Sequence, residues 1–402
     1  MGGAYGHLMH LHEDRDLTFN DLERIVRKAE AGRLDLCTEK TDGMNLVFTW
    51  DEASHSARIA RSAGDIKRGG MDAAALSARF ADRSPWVKGT FQSALGALSL
   101  ALWSVPLEER ARVFEGGSRW YSLEVIDDSC PNVIRYDVHR SNIVFHPHGS
   151  FSLAPSGVVI AHTEAPGVQL LSEQLGGLMI NGWFFHGPQQ VTVRCPDDGP
   201  GDKAFVELGM LLAQHGLRGE ATIGDFLLAG ARRVSAGFGL EPAVTEMIAS
   251  RMSGHPSAPS LVRIKARVPA AAYPFVKASV ELEERALVRP LEKVIHEFAV
   301  FLLHGMRSAM IIDHDLEVCR LRHTVEGAIE AVEARGNDRA KQLLWAQLSK
   351  LGTTRGITSS AEGIVFRHGG RAYKMTGNFS PVNQILGLVR YGRGEAKVRE
   401  AS

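Results

Sequence analysis

Strand-forming patterns occupy both ends of this chain, and a long helical stretch divides them. Residues 46–50 and 57–60 read as a hairpin around Asp51-Glu52, and 121–126 and 142–146 as further strands. Trp183-Phe184-Phe185 and Val191-Thr192-Val193 continue the pattern, punctuated by glycine and proline. From about residue 206 to 350 the character changes. Residues 207–214, 243–251 and especially 276–351 carry Leu, Ala, Glu and Arg at helical spacing, with Pro290 starting or kinking a helix. Strand patterning returns over 357–379, and 382–389 reads as a short closing helix. The strands at 357–380 must therefore pair with strands from the first half, and the helical stretch is an insertion between them. This predicts an α+β fold with two domains, a core of residues 1–205 plus 351–402 and a mainly helical insertion of 206–350.

Two smaller segments complete the outline. Thr18 is a helix N-cap with Asp21 at the third position after it; Leu22, Ile25, Val26 and Ala29 follow at helical spacing and Gly32 stops the helix. The preceding His7, His10 and His12 offer metal ligands, but a polar segment packed near the cleft is the preferred reading. Residues 73–102 carry a helical period that would cover the sheet. Between them, Gly64-Asp65-Ile66-Lys67-Arg68-Gly69-Gly70 is a glycine-rich basic loop that lacks the spacing of a P-loop.

The 402 residues suffice for two domains and a sizeable core. Lys and Arg (46) balance Asp and Glu (46), so net charge points to no polyanionic partner, although a local basic groove is compatible with neutrality. Cys37, Cys130, Cys195 and Cys319 lie far apart and make no C-x-x-C pair, which suits a reducing cytoplasm. The N-terminus has no basic-then-apolar signal pattern, and the apolar runs are too short to span a bilayer. The expectation is a soluble, cytoplasmic monomer with no membrane partner.

The stretch Cys37-Thr38-Glu39-Lys40-Thr41-Asp42-Gly43-Met44-Asn45 is a polar turn feeding an apolar strand, with one lysine at the junction. Asp42-Gly43 makes a tight turn in which glycine lets backbone approach a ligand. Arg61, Glu124, Phe145, Glu362 and Lys374 follow, each in a strand-like context. Together these residues resemble the covalent nucleotidyltransferases, the superfamily of ATP-dependent polynucleotide ligases and mRNA capping enzymes. The resemblance implies a ligase-type nucleotidyltransferase (ATP-grasp-like) core of antiparallel sheets. It implies that Lys40 attacks the α-phosphate and carries AMP as a phosphoramidate, for which its amine must lose its proton, its pKa lowered by nearby positive charge or a metal. Glu39 would help recognise adenine, Arg61 the nucleotide sugar or the end to be joined, Glu124 the ribose hydroxyls, and Phe145 would stack on the base. Glu362, in Ala361-Glu362-Gly363-Ile364-Val365, would act through Mg2+ or Mn2+, and Lys374 would contact the α-phosphate. Glu362 and Lys374 would lie on strands facing Lys40 across one cleft. Thr376 stands where the family carries a second lysine and would offer phosphate a hydroxyl without a charge.

The resemblance covers residues 37–146 and 357–380. A closer one, covering most of the chain, is to a group of uncharacterised bacteriophage proteins. It rests on the Lys40 stretch, the 64–70 loop and Tyr373-Lys374-Met375-Thr376-Gly377-Asn378-Phe379-Ser380-Pro381. Asn45, in Lys-x-Asp-Gly-x-Asn, resembles the double-strand-type RNA ligases and is a candidate substrate contact. The chain ends too soon after Thr376 for the OB-fold that DNA ligases and capping enzymes carry there. The implied activity is ATP-dependent joining of RNA 5′-phosphate and 3′-hydroxyl ends. The alternatives are a DNA nick ligase, a non-sealing nucleotide-binding phage protein, and an adenylyltransferase acting on another acceptor. Within 206–350, Arg232-Arg233, Arg263-Ile264-Lys265-Ala266-Arg267 and Arg320-Leu321-Arg322 are candidate phosphate grips, against the alternative of solvated helix faces.

Overall fold

The computed structural model of the chain describes residues 8–81, 85–127, 132–136, 141–193, 199–255 and 257–391. His7, Cys130 and Cys195 lie outside them. In chain order, the elements that matter below begin with α1 (Phe19–Glu30), β1 (Asp35–Lys40), β2 (Met44–Asp51), β3 (Ser56–Ala60) and α2 (Pro85–Ser104). Next come β4 (Arg119–Ile126), β5 (Ser141–Leu153), β6 (Val159–His162), β7 (Met179–Ile180) and β8 (Trp183–His186). A run of helices follows: α3 (Pro200–Gln214), α4 (Ile223–Ala236), α5 (Pro242–Met252), α6 (Leu261–Lys265), α7 (Tyr273–Leu302), α8 (His314–Arg335) and α9 (Asp338–Leu351). The chain then makes β9 (Gly363–His368), β10 (Arg371–Thr376) and α10 (Phe379–Tyr391). The class is α+β. Pro290 lies inside α7, whereas Val191-Thr192-Val193 is not a strand, and Val191 N–H bonds Cys37 O at 3.1 Å.

The chain forms two compact units, divided differently from the sequence expectation. One unit comprises residues 1–8, 35–192 and 303–402; the other comprises 9–34 and 193–302. Helices α8 and α9 thus belong with the strands, although 303–351 has the same composition as the helices before it. Their placement follows from packing. Leu321, Val325 and Val332 of α8 share one buried cluster with Leu344 of α9, Val382 and Ile385 of α10, and Ile126 and Val144 of the sheet.

The strand-bearing unit holds two sheets. In the larger, the order is β3-β2-β4-β5-β8-β7, with β6 also pairing β5. The pairings are antiparallel except β5 with β8, which run parallel. One face is the main core. Leu46, Phe48, Leu123, Val125, Ile143 and Phe145 pack there beneath Phe91, Leu95, Leu98 and Leu102 of α2. In the second sheet β9 lies between β1 and β10, antiparallel to both. Residues 41–43 carry the chain from β1 of this sheet into β2 of the other, so the lysine turn is the crossover between the sheets.

The other unit is helical. Thr18 caps α1 through a reciprocal bond with Asp21, as its sequence predicts, and Gly32 follows with φ of 63°. A second apolar cluster joins Ala231, Ile248, Met252, Ile264, Val268, Val276 and Val280 from α4 to α7. Among the described residues no single helix is long and apolar enough to cross a membrane.

Candidate active site

The register brings residues from both ends of the chain to one row. Lys40 pairs with Gly363, and Gly363 with Thr376. The next row on the same face is Thr38, Val365 and Lys374, because alternate residues of a strand share a face. Glu362 immediately precedes β9, and its carboxylate pairs with the Lys40 ammonium. The expected cleft between facing strands is therefore corrected: Lys40, Glu362, Lys374 and Thr376 belong to neighbouring strands of one sheet. Lys374 and Thr376 are both buried. Gly363 has no room for a side chain, since a Cβ there would stand 2.1 Å from Met375 O.

The larger sheet adds Glu124. Asn45 stands opposite Glu124, which stands opposite Val144, on the face away from the main core. The buried Glu124 carboxylate accepts a hydrogen bond from Thr41 Oγ1, on the turn beside Lys40. His146 Nε2 lies 3.7 Å from Glu124 Oε2, too far for a hydrogen bond but close enough for an ion pair when the imidazole is protonated. His148 Nε2 meets Thr38 Oγ1 at 2.6 Å, tying β5 to β1. Burial holds His148 neutral, pushed down to about 3 with His146 and Arg367 adding to the fall.

Three expected contacts are corrected by strand alternation and by hydrogen bonding. Phe145 faces the main core, fully buried against Phe48 and Phe185 with ring centroids 5.7 and 6.2 Å away. It is opposite to Glu124 because its register partner is Leu123. Arg61 follows Ala60, which faces the Glu124 side with Val47, so its side chain turns the other way, over the Phe91 ring at 5.5 Å. Asp42 lines the turn, but its carboxylate is engaged by its own chain. Oδ1 accepts from Asn132 Nδ2 at 2.5 Å, and Oδ2 from the N–H groups of Val133 and Ile134 at 2.7 and 2.8 Å.

Gly43 is required for close packing. A Cβ there would meet Ile126 Cγ1 and Val125 O at 3.0 Å and Glu124 Cβ at 3.2 Å. Gly43→Ala should displace the turn from β4 and cost about 1–3 kcal/mol, read as a lower urea midpoint at unchanged m-value. The 64–70 loop is likewise structural. Asp65 is buried within a short helix capped by Ser62, and Arg68 pairs with it.

Glu39 faces the other side of its sheet, beside Ile364. Its Oε2 accepts from Ala309 N–H at 2.7 Å, while Oε1 is buried with no hydrogen-bond partner among the described residues. Burial raises its pKa, opposed by Ser308 and Ala309. Residues 303–313, assigned by sequence to the insertion, thus supply part of the site.

Electrostatically the centre is one ammonium among three carboxylates. Burial would lower the Lys40 pKa, but Glu362, Glu124 and Asp42 outweigh it and the pKa is raised. The lowered pKa expected of a nucleophile is therefore not a property of this site as it stands. Burial pushes Glu362 up to about 8, with Asp42 and Glu124 adding to the rise and Lys40 opposing it. Asp42 is raised, by burial first, against the N–H groups of Ile134 and Val133. Glu124 is lowered, because His146, Lys40 and Thr41 outweigh its burial. Among the described residues no group of three or more His, Cys, Asp and Glu is placed to hold a metal ion.

Several participants carry no sequence motif. His146 has the parity that strand alternation assigns to the Glu124 face, whereas Thr41 reaches Glu124 from the turn at 41–43. Tyr136 Oη, which accepts from Asp42 N–H at 2.6 Å, and the Ala309 N–H were not legible, because loop geometry brings them in. Two of the candidate phosphate grips are also accounted for. Arg320 binds Glu317 and Val133 O, and Arg322 binds Ile357 O and Arg355 O. Arg232 makes two bonds to Glu246. Comparison of the chain with protein-family models, curated proteins and solved structures returned no match.

Proposed function

We propose that this protein is an ATP-dependent nucleotidyltransferase of the RNA-ligase type, with a ligase-type nucleotidyltransferase core. The observation that carries the reading is the buried pairing of Lys40 with Glu362, from opposite ends of the chain, beside Glu124 on a second sheet. A nucleophilic lysine needs a group that can take its proton, and the Glu362 carboxylate touches the Lys40 ammonium. Glu362 takes one proton, turning the ammonium into an amine; as the nitrogen bonds to the α-phosphorus, the bond from phosphorus to the bridging oxygen breaks, and the second proton on nitrogen departs with the leaving pyrophosphate.

The other residues hold the nucleotide. Glu124 and Asn45 share a row that would face the ribose, and Lys374 and Thr376 would meet the phosphates. The carboxylate-rich surround fits Mg2+ or Mn2+, which commonly take one or two carboxylates and fill their shell with phosphate and water. Glu362 would hold the ion, which when bound would neutralise phosphate charge and offset the carboxylate field on Lys40.

The AMP would then pass to a polynucleotide 5′-phosphate and be released when a 3′-hydroxyl attacks. Asn45 favours RNA over DNA as the acceptor. Incubation with α-labelled ATP or GTP followed by denaturing electrophoresis tests the first step. A stable label from ATP and none from GTP is the expected result; no label from either refutes covalent nucleotidyl transfer. Nicked duplexes with RNA on the 3′-hydroxyl side should be sealed faster than all-DNA nicks. Equal or faster sealing of all-DNA nicks points instead to a DNA ligase.

A further inference from the structure

We infer that the helical unit carries a binding surface for single-stranded polynucleotide, built from α6 and its flanks; this rests on a polynucleotide being the acceptor. Between Glu246 and Glu281 the sequence contains no Asp or Glu, although these make up 46 of the 402 residues. The same stretch holds Arg251, Arg263, Lys265, Arg267 and Lys277. A chain of zero net charge therefore concentrates a local positive field here, and such a field attracts polyanions whatever the total charge.

The fold turns this stretch outward. Ile264 and Val268 anchor it in the apolar cluster beneath, and Arg251, Arg263, Lys265 and Arg267 are exposed. None of these four bonds a carboxylate among the described residues, in contrast to Arg232, which is held by Glu246. Cations not held by a carboxylate keep their charge available to phosphate, and each phosphate neutralised releases a counterion.

Aromatic rings interleave with the cations. Lys265 Nζ lies 5.5 Å from the centroid of the Tyr273 ring. Phe275 is 65% exposed and braced edge-on by Phe238 at 5.6 Å. An exposed ring held in place on the same stretch as exposed cations is what unstacked bases bind, since every base has a face to stack and every nucleotide a phosphate. An acidic peptide would use the charge without the braced ring, and a lipid surface, which takes both basic and aromatic side chains, is distinguished by vesicle binding in the test.

The test is fluorescence anisotropy with fluorescein-labelled 20-nucleotide RNA and DNA single strands and the full chain, from 50 to 300 mM KCl. The triple variant R263A/K265A/R267A should bind about 10- to 50-fold more weakly near 150 mM. The slope of log affinity against log salt should be shallower by about 2, the value for three lost contacts to a single strand. Phe275→Ala should weaken binding about tenfold with the slope unchanged, because stacking releases no counterions. Arg232→Ala, equally cationic but internally paired, should change affinity less than twofold. Melting temperatures of all variants establish that they are folded.

Wild-type affinity and slope in the folded triple variant overturn the inference, as does failure of the wild-type chain to bind either strand. It is also overturned if the triple variant loses binding to phosphatidylserine vesicles while oligonucleotide binding is unaffected. Labelling of the wild-type chain by ATP is read separately. Label without oligonucleotide binding refutes this surface and leaves the Lys40 chemistry standing. Salt-dependent binding lost in the triple variant, with no label from ATP, refutes the nucleotidyl transfer and leaves the surface standing.

Discussion

Lys40→Ala should abolish covalent labelling by ATP, a loss of at least about 10³-fold set by detection. Phosphoramidate formation needs a nitrogen that can be unprotonated; Glu362, Glu124 and Asp42 around Lys40 are carboxylates, and Lys374 lies one row away on the neighbouring strands. Lys40→Arg should fail equally, because a guanidinium stays protonated at any accessible pH. The alanine variant should remain folded. Removing one partner of a buried ion pair costs about 3–5 kcal/mol when the other charge is stranded. Here Glu362 can relieve the strain by keeping its proton, since its pKa is already pushed up to about 8. Circular dichroism should show the wild-type spectrum with a lowered melting temperature. Covalent AMP on the alanine variant would show that another residue is the nucleophile.

Glu362→Gln should separate activity from stability. Self-labelling should fall by about 10²–10⁴-fold, the usual size of a lost acid–base group. Stability at neutral pH should be maintained or raised. With a folded pKa of about 8 against an ordinary value of 4.5, Glu362 binds a proton in the folded chain that the unfolded chain has released. Unfolding therefore releases a proton between those two values, and wild-type stability falls as pH rises through that window, by up to about 1.4 kcal/mol per unit. Glutamine has no such proton. In chelator-treated buffer, the melting temperature of Glu362→Gln minus that of the wild type should grow from pH 5 to pH 8. A difference that is flat or shrinks over that range would mean that Glu362 is ionised throughout, and its burial would not be the source of the rise.

Local pattern carried much of this architecture. The hairpin of β2 and β3, the α1 cap at Thr18, the strand around Glu124 and the return to strands after residue 357 all follow from side-chain period and turn chemistry, which neighbouring residues determine. So does the requirement that strands from both ends pair in one sheet. The sites where sequence reading erred have a common cause. Phe145 stands 21 residues after Glu124 and Arg61 21 after Lys40, but strand parity turns Phe145 into the main core and Arg61 lies over the Phe91 ring. A distance along the chain does not encode which face a residue takes until a partner strand sets the register.

The sequence by itself determined the class of elements, their order, and the presence of Lys40, Glu124, Glu362 and Lys374 in strand contexts. Tertiary structure alone decided that Lys40 and Glu362 touch, that Asp42 binds the 132–134 backbone, and that Ala309 N–H meets Glu39. It also decided that α8 and α9 complete the strand-bearing unit, while Arg320 and Arg322 serve the fold. The physical reason is range. Period and capping act over a few residues, whereas these contacts depend on which apolar faces find each other, and helices of like composition on either side of residue 302 differ only in the surfaces they bury.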